Sequence, residues 1–192
     1  MKIIVFVLFV TNLTCIGVTQ ADEATAPATP QTEKQAEKQA ETVKSTFLIT
    51  GLHCPPCTQT VEESLRHIKG VKSASVDWKT KNARIEFDEH VISAQALAGK
   101  IATTAHMMGG NMKYSGWLAL SVADLKESDN AEWDRLKESL GKVAGVKQVS
   151  LYKNRAGVGV LFDTKGELTS EQLIAAMAEA GFKVSNYRSS GH

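Results

Sequence analysis

The sequence predicts an α+β protein made of two tandem βαββαβ sandwiches, each an antiparallel sheet with helices on one face. Three observations carry that prediction. GVKSASVDWKTKNARIEFD from Gly70 matches GVKQVSLYKNRAGVGVLFD from Gly145 without a gap. Downstream, LAGKIATTAH from Leu97 aligns gap-free with LIAAMAEAGF from Leu173. Upstream of each match, apolar residues recur at spacings of three and four, as the buried face of a helix requires: Val61, Leu65 and Ile68 in one copy, Trp133, Leu136, Leu140 and Val143 in the other. One supersecondary plan is written twice.

In the first copy, STFLITGL (45–52) alternates as a half-buried strand, 57–68 form a helix, 72–79 and 82–88 form a hairpin, and 93–104 form a second helix. The hairpin's second strand alternates through Ala83, Ile85 and Phe87. The second copy repeats this with a strand near Trp117 to Leu125, a helix from Ala131 to Val143, a hairpin from Lys147 to Phe162, a helix from Ser170 to Ala180 and a last strand near Phe182 to Tyr187. The first copy's last strand is less legible, because Gly109 and Gly110 fall where it should lie. These elements place ferredoxin-like sandwiches at residues 45–112 and 113–192.

At 192 residues, 43% apolar and 22% charged, the chain has room for one medium domain or two small ones. Lys plus Arg number 22 against 21 Asp plus Glu, so charge gives no reason to expect nucleic acid or an anionic membrane as partner. Residues 1–21 follow the plan of a signal peptide: Lys2, the apolar run IIVFVLFV, then TQA, whose Thr19 and Ala21 suit cleavage before Asp22. The expected location is periplasmic or otherwise exported, with no stable membrane span after cleavage. An uncleaved membrane anchor is the alternative, but Thr11, Asn12 and Thr14 end the apolar run well short of the roughly 20 residues a span needs. Asn12-Leu13-Thr14 also lacks the small residue usual before a lipidated cysteine, which sets aside a lipoprotein at Cys15. Residues 22–44, with Pro27, Pro30 and EKQAEKQAE, carry almost no large apolar side chain and read as a tether, disordered or partly helical.

Chemistry concentrates at GLHCPPC, residues 51–57. With Cys15 removed, Cys54 and Cys57 are the cysteines left, and two cysteines three apart close too small a loop to staple a fold. Two thiolates suit a soft ion; Cu(I) is the one expected here, although the donors by themselves accept Hg(II), Zn(II) and Cd(II) as well. Cys57 falls in the first turn of a helix, where unpaired N–H groups and the dipole favour a thiolate, and Pro55 and Pro56 stiffen the approach.

The motif, its place between first strand and first helix, and the GV hairpin that follows resemble the heavy-metal-associated (HMA) domain of copper chaperones, mercury-binding periplasmic proteins and the cytosolic arms of metal-exporting ATPases. The resemblance covers about residues 45–110 with the motif and 117–187 without it, so the second part reads as a degenerate copy. Leu52 stands where the family usually has Met. The resemblance implies a chaperone or sequestering protein whose partner is a metal donor or acceptor with its own cysteine pair, such as a metal transporter. It also implies that the loop carrying His106 approaches the metal, which makes His106 a candidate third ligand. Met107, Met108 and Met112 follow with soft thioethers, Met107 being the nearest. The alternative is that Met107 and Met108 belong to a short last strand in the core while His106 is solvated. His53, directly before Cys54, reads as a residue that braces the ligands or meets a partner rather than bonding the ion; His67 and His90 read as solvated; His192 carries no signal.

In the second copy KESDNAEW replaces the cysteines, and Asp129 and Glu132 suit a helix start by capping and dipole rather than a hard cation. No catalytic triad or paired-carboxylate constellation is visible, so an enzyme is not expected. Two other classes stay open: a thiol-disulfide oxidoreductase using Cys-Pro-Pro-Cys, and a structural adaptor working through the second copy. Thioredoxin-like enzymes set a cis-proline from a distant loop against the cysteines, whereas the prolines here are Pro27, Pro30, Pro55 and Pro56. A resting disulfide with no duty is the remaining possibility.

Overall fold

Strand β1 (Thr42–Thr50) opens the computed structural model, which describes residues 42–185 and 188–189. The expected signal peptide and most of the tether fall outside those residues; the tether's last three positions are already strand. Alternate β1 side chains, Val43, Phe47 and Ile49, are buried against the helices. Helix α1 (Pro55–Arg66) starts on two prolines and buries Cys57, Val61 and Leu65. The hairpin β2 (Val71–Val76) and β3 (Asn82–Asp88) follows, then α2 (Ala94–Thr103), whose N-cap Ser93 accepts the Ala96 N–H.

The second copy runs β4 (Ser115–Ala123), α3 (Asn130–Gly141), β5 (Val146–Tyr152), β6 (Gly157–Phe162) and α4 (Ser170–Glu179), the last started by a reciprocal cap between Thr169 and Gln172. Within its expected last strand, near Phe182 to Tyr187, the described residues form β7 (Lys183–Val184), and β8 (Arg188–Ser189) lies just beyond that range. The internal repeat holds down to irregularities. Each hairpin carries a register shift at its start, Val71/Ser73 in one and Val146/Gln148 in the other. Each is closed by the same bond, Asp88 N–H to Gly70 C=O at 2.8 Å and Asp163 N–H to Gly145 C=O at 2.9 Å.

The two copies share one sheet, ordered β2-β3-β1-β4-β6-β5, with β7 beside β4 and β8 beside β1. Strand β4 pairs antiparallel with β1, Thr46 opposite Ala119 through Thr50 opposite Ser115. It therefore occupies the place of the first copy's missing last strand while serving as the second copy's first strand. Met107 and Met108 lie in the turn before it, not in a strand and not in the core. Pairing through β4 satisfies backbone groups that two separate sandwiches would leave along open edges.

A polar latch joins the copies from the helical side. Gln95 on α2 is buried, and its amide donates to the carbonyls of Lys165 and Asp163 at 3.0 and 3.2 Å while its oxygen accepts the Leu168 N–H at 2.9 Å. Beside it the Glu89 carboxylate accepts the Ser170 N–H at 2.5 Å, at the start of α4. Burial pushes the Glu89 pKa up, against the lowering effect of its bonds from Ser170. The described residues form one compact unit.

Candidate metal centre

Between β1 and α1 the chain must turn from a buried strand into a helix, and Gly51 makes this turn with φ at +89°. A Cβ there would overlap the Lys113 carbonyl oxygen, so the loop carrying the cysteines lies directly against the segment that leads into β4. Leu52, the departure from the family's usual Met, is buried in the core. His53 is exposed, Cys54 half-buried and Cys57 buried at 0% exposure.

Cys54 and Cys57 are joined in a disulfide, with Cα atoms 5.3 Å apart. Both sulfurs thus point at a common place, and two-electron reduction would leave two thiols there. With Cys57 sealed by the core, an ion or an incoming thiolate meets the pair first at Cys54.

The electrostatics differ from expectation in one respect. Cys54 is the N-cap of α1 and Cys57 its third residue, but Pro55 and Pro56 carry no N–H, and the Cys57 N–H donates to the Cys54 carbonyl at 3.0 Å. The unpaired donors expected at this helix start are therefore missing or used. What remains to favour a thiolate is the axial dipole, unopposed because the first turn holds no acidic residue.

His106 is brought to this loop, though not as a free ligand. Its Nε2 lies 2.9 Å from the Gly51 carbonyl and its Nδ1 accepts the Met108 N–H at 3.2 Å, so both ring nitrogens are engaged. It stacks on Tyr114 with centroids 4.5 Å apart, and the His53 ring lies tilted at 5.7 Å. Coordination by His106 would break either its contact with the Gly51 carbonyl, which joins the two loops, or its bond from the Met108 N–H, which shapes its own loop. Among the described residues no group of three or more His, Cys, Asp and Glu is gathered to hold a metal. Met107 stands 56% exposed on the same loop.

The other candidates separate cleanly. His67 is exposed with Nδ1 at 2.7 Å from its own helix's Glu63 carbonyl, and exposed His90 pairs with Asp88 at 3.3 Å. His192 lies outside the described residues. Asp129 and Glu132 take the N-cap and third positions of α3, as Cys54 and Cys57 do in α1. Asp129 accepts the Lys126 N–H at 3.3 Å and Glu132 pairs with Arg135 at 2.6 Å, so both serve locally.

Tyr114 had no signal in the sequence, since a tyrosine at a strand start is unremarkable. It is fully buried beneath His106, and among the described residues its hydroxyl has no hydrogen-bond partner.

The heavy-metal-associated domain model matches residues 46–106, the segment that holds the cysteine pair and His106. The copper chaperone CopZ of Enterococcus hirae is 32% identical over 59 residues, which is 31% of this chain and 86% of that protein. The copper-transporting ATPase RAN1 of Arabidopsis thaliana is 29% identical over 144 residues, 73% of this chain but 14% of the ATPase, so the chain spans a small part of that relative's length. Among solved structures, the water-soluble region of the P-type ATPase CopA from Bacillus subtilis is 20% identical with a TM-score of 0.37, over 76% of this chain and 91% of that one. Through residues 46–106, the chain belongs to the heavy-metal-associated domain family.

Proposed function

We propose that this chain is an exported carrier that binds one soft metal ion, Cu(I) first, between the reduced sulfurs of Cys54 and Cys57, and sequesters it or passes it to a partner. The observation that carries this is the placement of the pair: two sulfurs within bonding distance of each other, at a helix start free of acidic residues, on a loop open to solvent at Cys54. The kinship with a copper chaperone supports copper, and two thiolates, with no group of three or more His, Cys, Asp and Glu gathered among the described residues, suit an ion of low coordination number. Hg(II), Zn(II) and Cd(II) compete for the same donors.

Transfer then proceeds by stepwise thiolate exchange. A partner with its own cysteine pair, such as a metal transporter, attacks the ion on the Cys54 side, and Cys57 leaves last because it is the more enclosed sulfur. Residues 22–41, ahead of β1, tether the metal-binding copy, and the second copy, which lacks the cysteines, supports it. The signal-like pattern of residues 1–21 supports an exported, periplasmic or equivalent, location for the carrier.

The test is anaerobic titration of the reduced chain with Cu(I) against a chromophoric chelator. One ion per chain, lost in both Cys54→Ser and Cys57→Ser, is the expected result; undiminished tight binding in both variants would reject the assignment. The disulfide itself favours a second reading, thiol-disulfide exchange. That reading requires catalysed oxidation or isomerisation of an unfolded substrate above the rate of a free dithiol, and a carrier shows none.

A further inference from the structure

Of the chain's five methionines, Met177 does what methionine usually does and fills the core at 0% exposure. Met107, Met108 and Met112 do the opposite: they stand 56%, 58% and 46% exposed on one short loop. Leaving three apolar side chains half in water forfeits burial that each would gain elsewhere. Between them Gly109 and Gly110 both take positive φ, +66° and +68°, and the Gly109 N–H closes a turn onto the His106 carbonyl at 3.0 Å. No atom crowds either glycine, so the pair serves the backbone reversal and not close packing. The loop is fixed against the cysteine loop by His106, which holds the Gly51 carbonyl with one ring nitrogen and the Met108 N–H with the other.

We propose that Met107, Met108 and Met112 form a second soft-metal site, built of thioethers alone, which takes up a monovalent ion such as Cu(I) while Cys54 and Cys57 are oxidised and holds it beside the pair. The argument is chemical. A thiolate site needs both a reductant and the loss of protons, and the disulfide present here offers neither sulfur as an anion. Thioethers carry no proton to lose, are untouched by disulfide formation, and are soft enough for Cu(I). In a compartment where thiols oxidise, this loop keeps its donors when the cysteine pair has lost its own. His106 is not a ligand in this arrangement, because its ring is occupied in tethering the loop.

The proposal rests on the soft-metal reading of the Cys54–Cys57 loop, and the two are separated by redox state. The probe is Ag(I), which resembles Cu(I) in softness and charge and does not reduce the disulfide. It is titrated into the oxidised full chain carrying Cys15→Ser, which removes the remaining thiol, with 13C-methyl methionine resonances as readout. The first equivalent should shift the methyl signals of Met107, Met108 and Met112 and leave Met177 in place. M107L/M108L/M112L, a volume-conserving change at exposed positions that leaves the fold intact, should weaken binding at least about tenfold. No shift, or equal binding by the triple variant, would overturn the site and leave the methionines as a docking surface. The same variant, reduced and given Cu(I), should still bind one ion through its cysteines. Failure there would count against the cysteine reading and not against the thioether site.

Discussion

Replacing Gln95 by leucine tests whether the two copies are welded or merely adjacent. The side chain is 1% exposed, and its removal strips partners from the carbonyls of Asp163 and Lys165 and from the N–H of Leu168. Asp163 and Lys165 are exposed residues whose carbonyls regain water at part of the loss, while Leu168 is half-buried and its N–H takes nearly the whole penalty. One full penalty of about 1–3 kcal/mol, and fractions of it for two carbonyls, less the apolar gain of leucine, gives a loss of about 2–3 kcal/mol. A chain of this size should then melt about 4–12 °C lower. Urea unfolding followed by far-UV circular dichroism and by tryptophan fluorescence measures it, with Gln59→Leu on the exposed side of α1 as control within about 0.5 kcal/mol of the parent. Wild type and Gln95→Leu should each unfold in a single transition, because β1 and β4 share one sheet. A Gln95→Leu loss below about 0.5 kcal/mol, or two separate transitions in the wild type, would refute the weld.

Three further outcomes follow from the same geometry. Gly51→Ala should destabilise the chain by about 1–3 kcal/mol, because residue 51 holds φ at +89° against the Lys113 backbone, and an unchanged urea midpoint would contradict this. Glu89 has its pKa raised above 4.5 in the folded state, so its stabilising contribution is complete when protonated and is lost as pH rises from 4.5 through the folded pKa. Glu89→Gln should lack that decline, and parallel stability–pH curves for the two proteins would contradict the assignment. His106→Ala should cost about 1–2 kcal/mol through the lost stack and hydrogen bonds, yet leave the Cu(I) affinity of the reduced chain within about threefold. A loss of tenfold or more would make the histidine a ligand after all.

The elements were legible because both copies bury the same alternation. Ala83, Ile85 and Phe87 answer to Val158, Val160 and Phe162, and all six are buried. What sequence does not carry is pairing at a distance. The β1–β4 pairing joins residues far apart in the chain, so the first copy seemed to lack a strand that the second copy supplies. Gln95 sits in an amphipathic helix where a polar residue reads as solvent-facing; only the docking of 163–168 turns it into a buried hub. At the site, Cys54 and Cys57 were readable from spacing, since three residues across a helix start bring two side chains together. The engagement of His106 was not, because an alignment with Phe182 places a ring without saying which carbonyl it meets. Met107 and Met108 looked like core residues by type, and their exposure follows from β4 taking the strand position that would have buried them.

The most direct measurement on the cysteine clasp is alkylation of the reduced Cys15→Ser chain, with and without one equivalent of Cu(I), read by intact-protein mass spectrometry. Binding between Cys54 and Cys57 predicts that the loaded chain keeps one copper ion and that both cysteines are shielded together. Copper retained while both cysteines alkylate as fast as in the metal-free chain, or no copper retained by the reduced protein, would contradict the account.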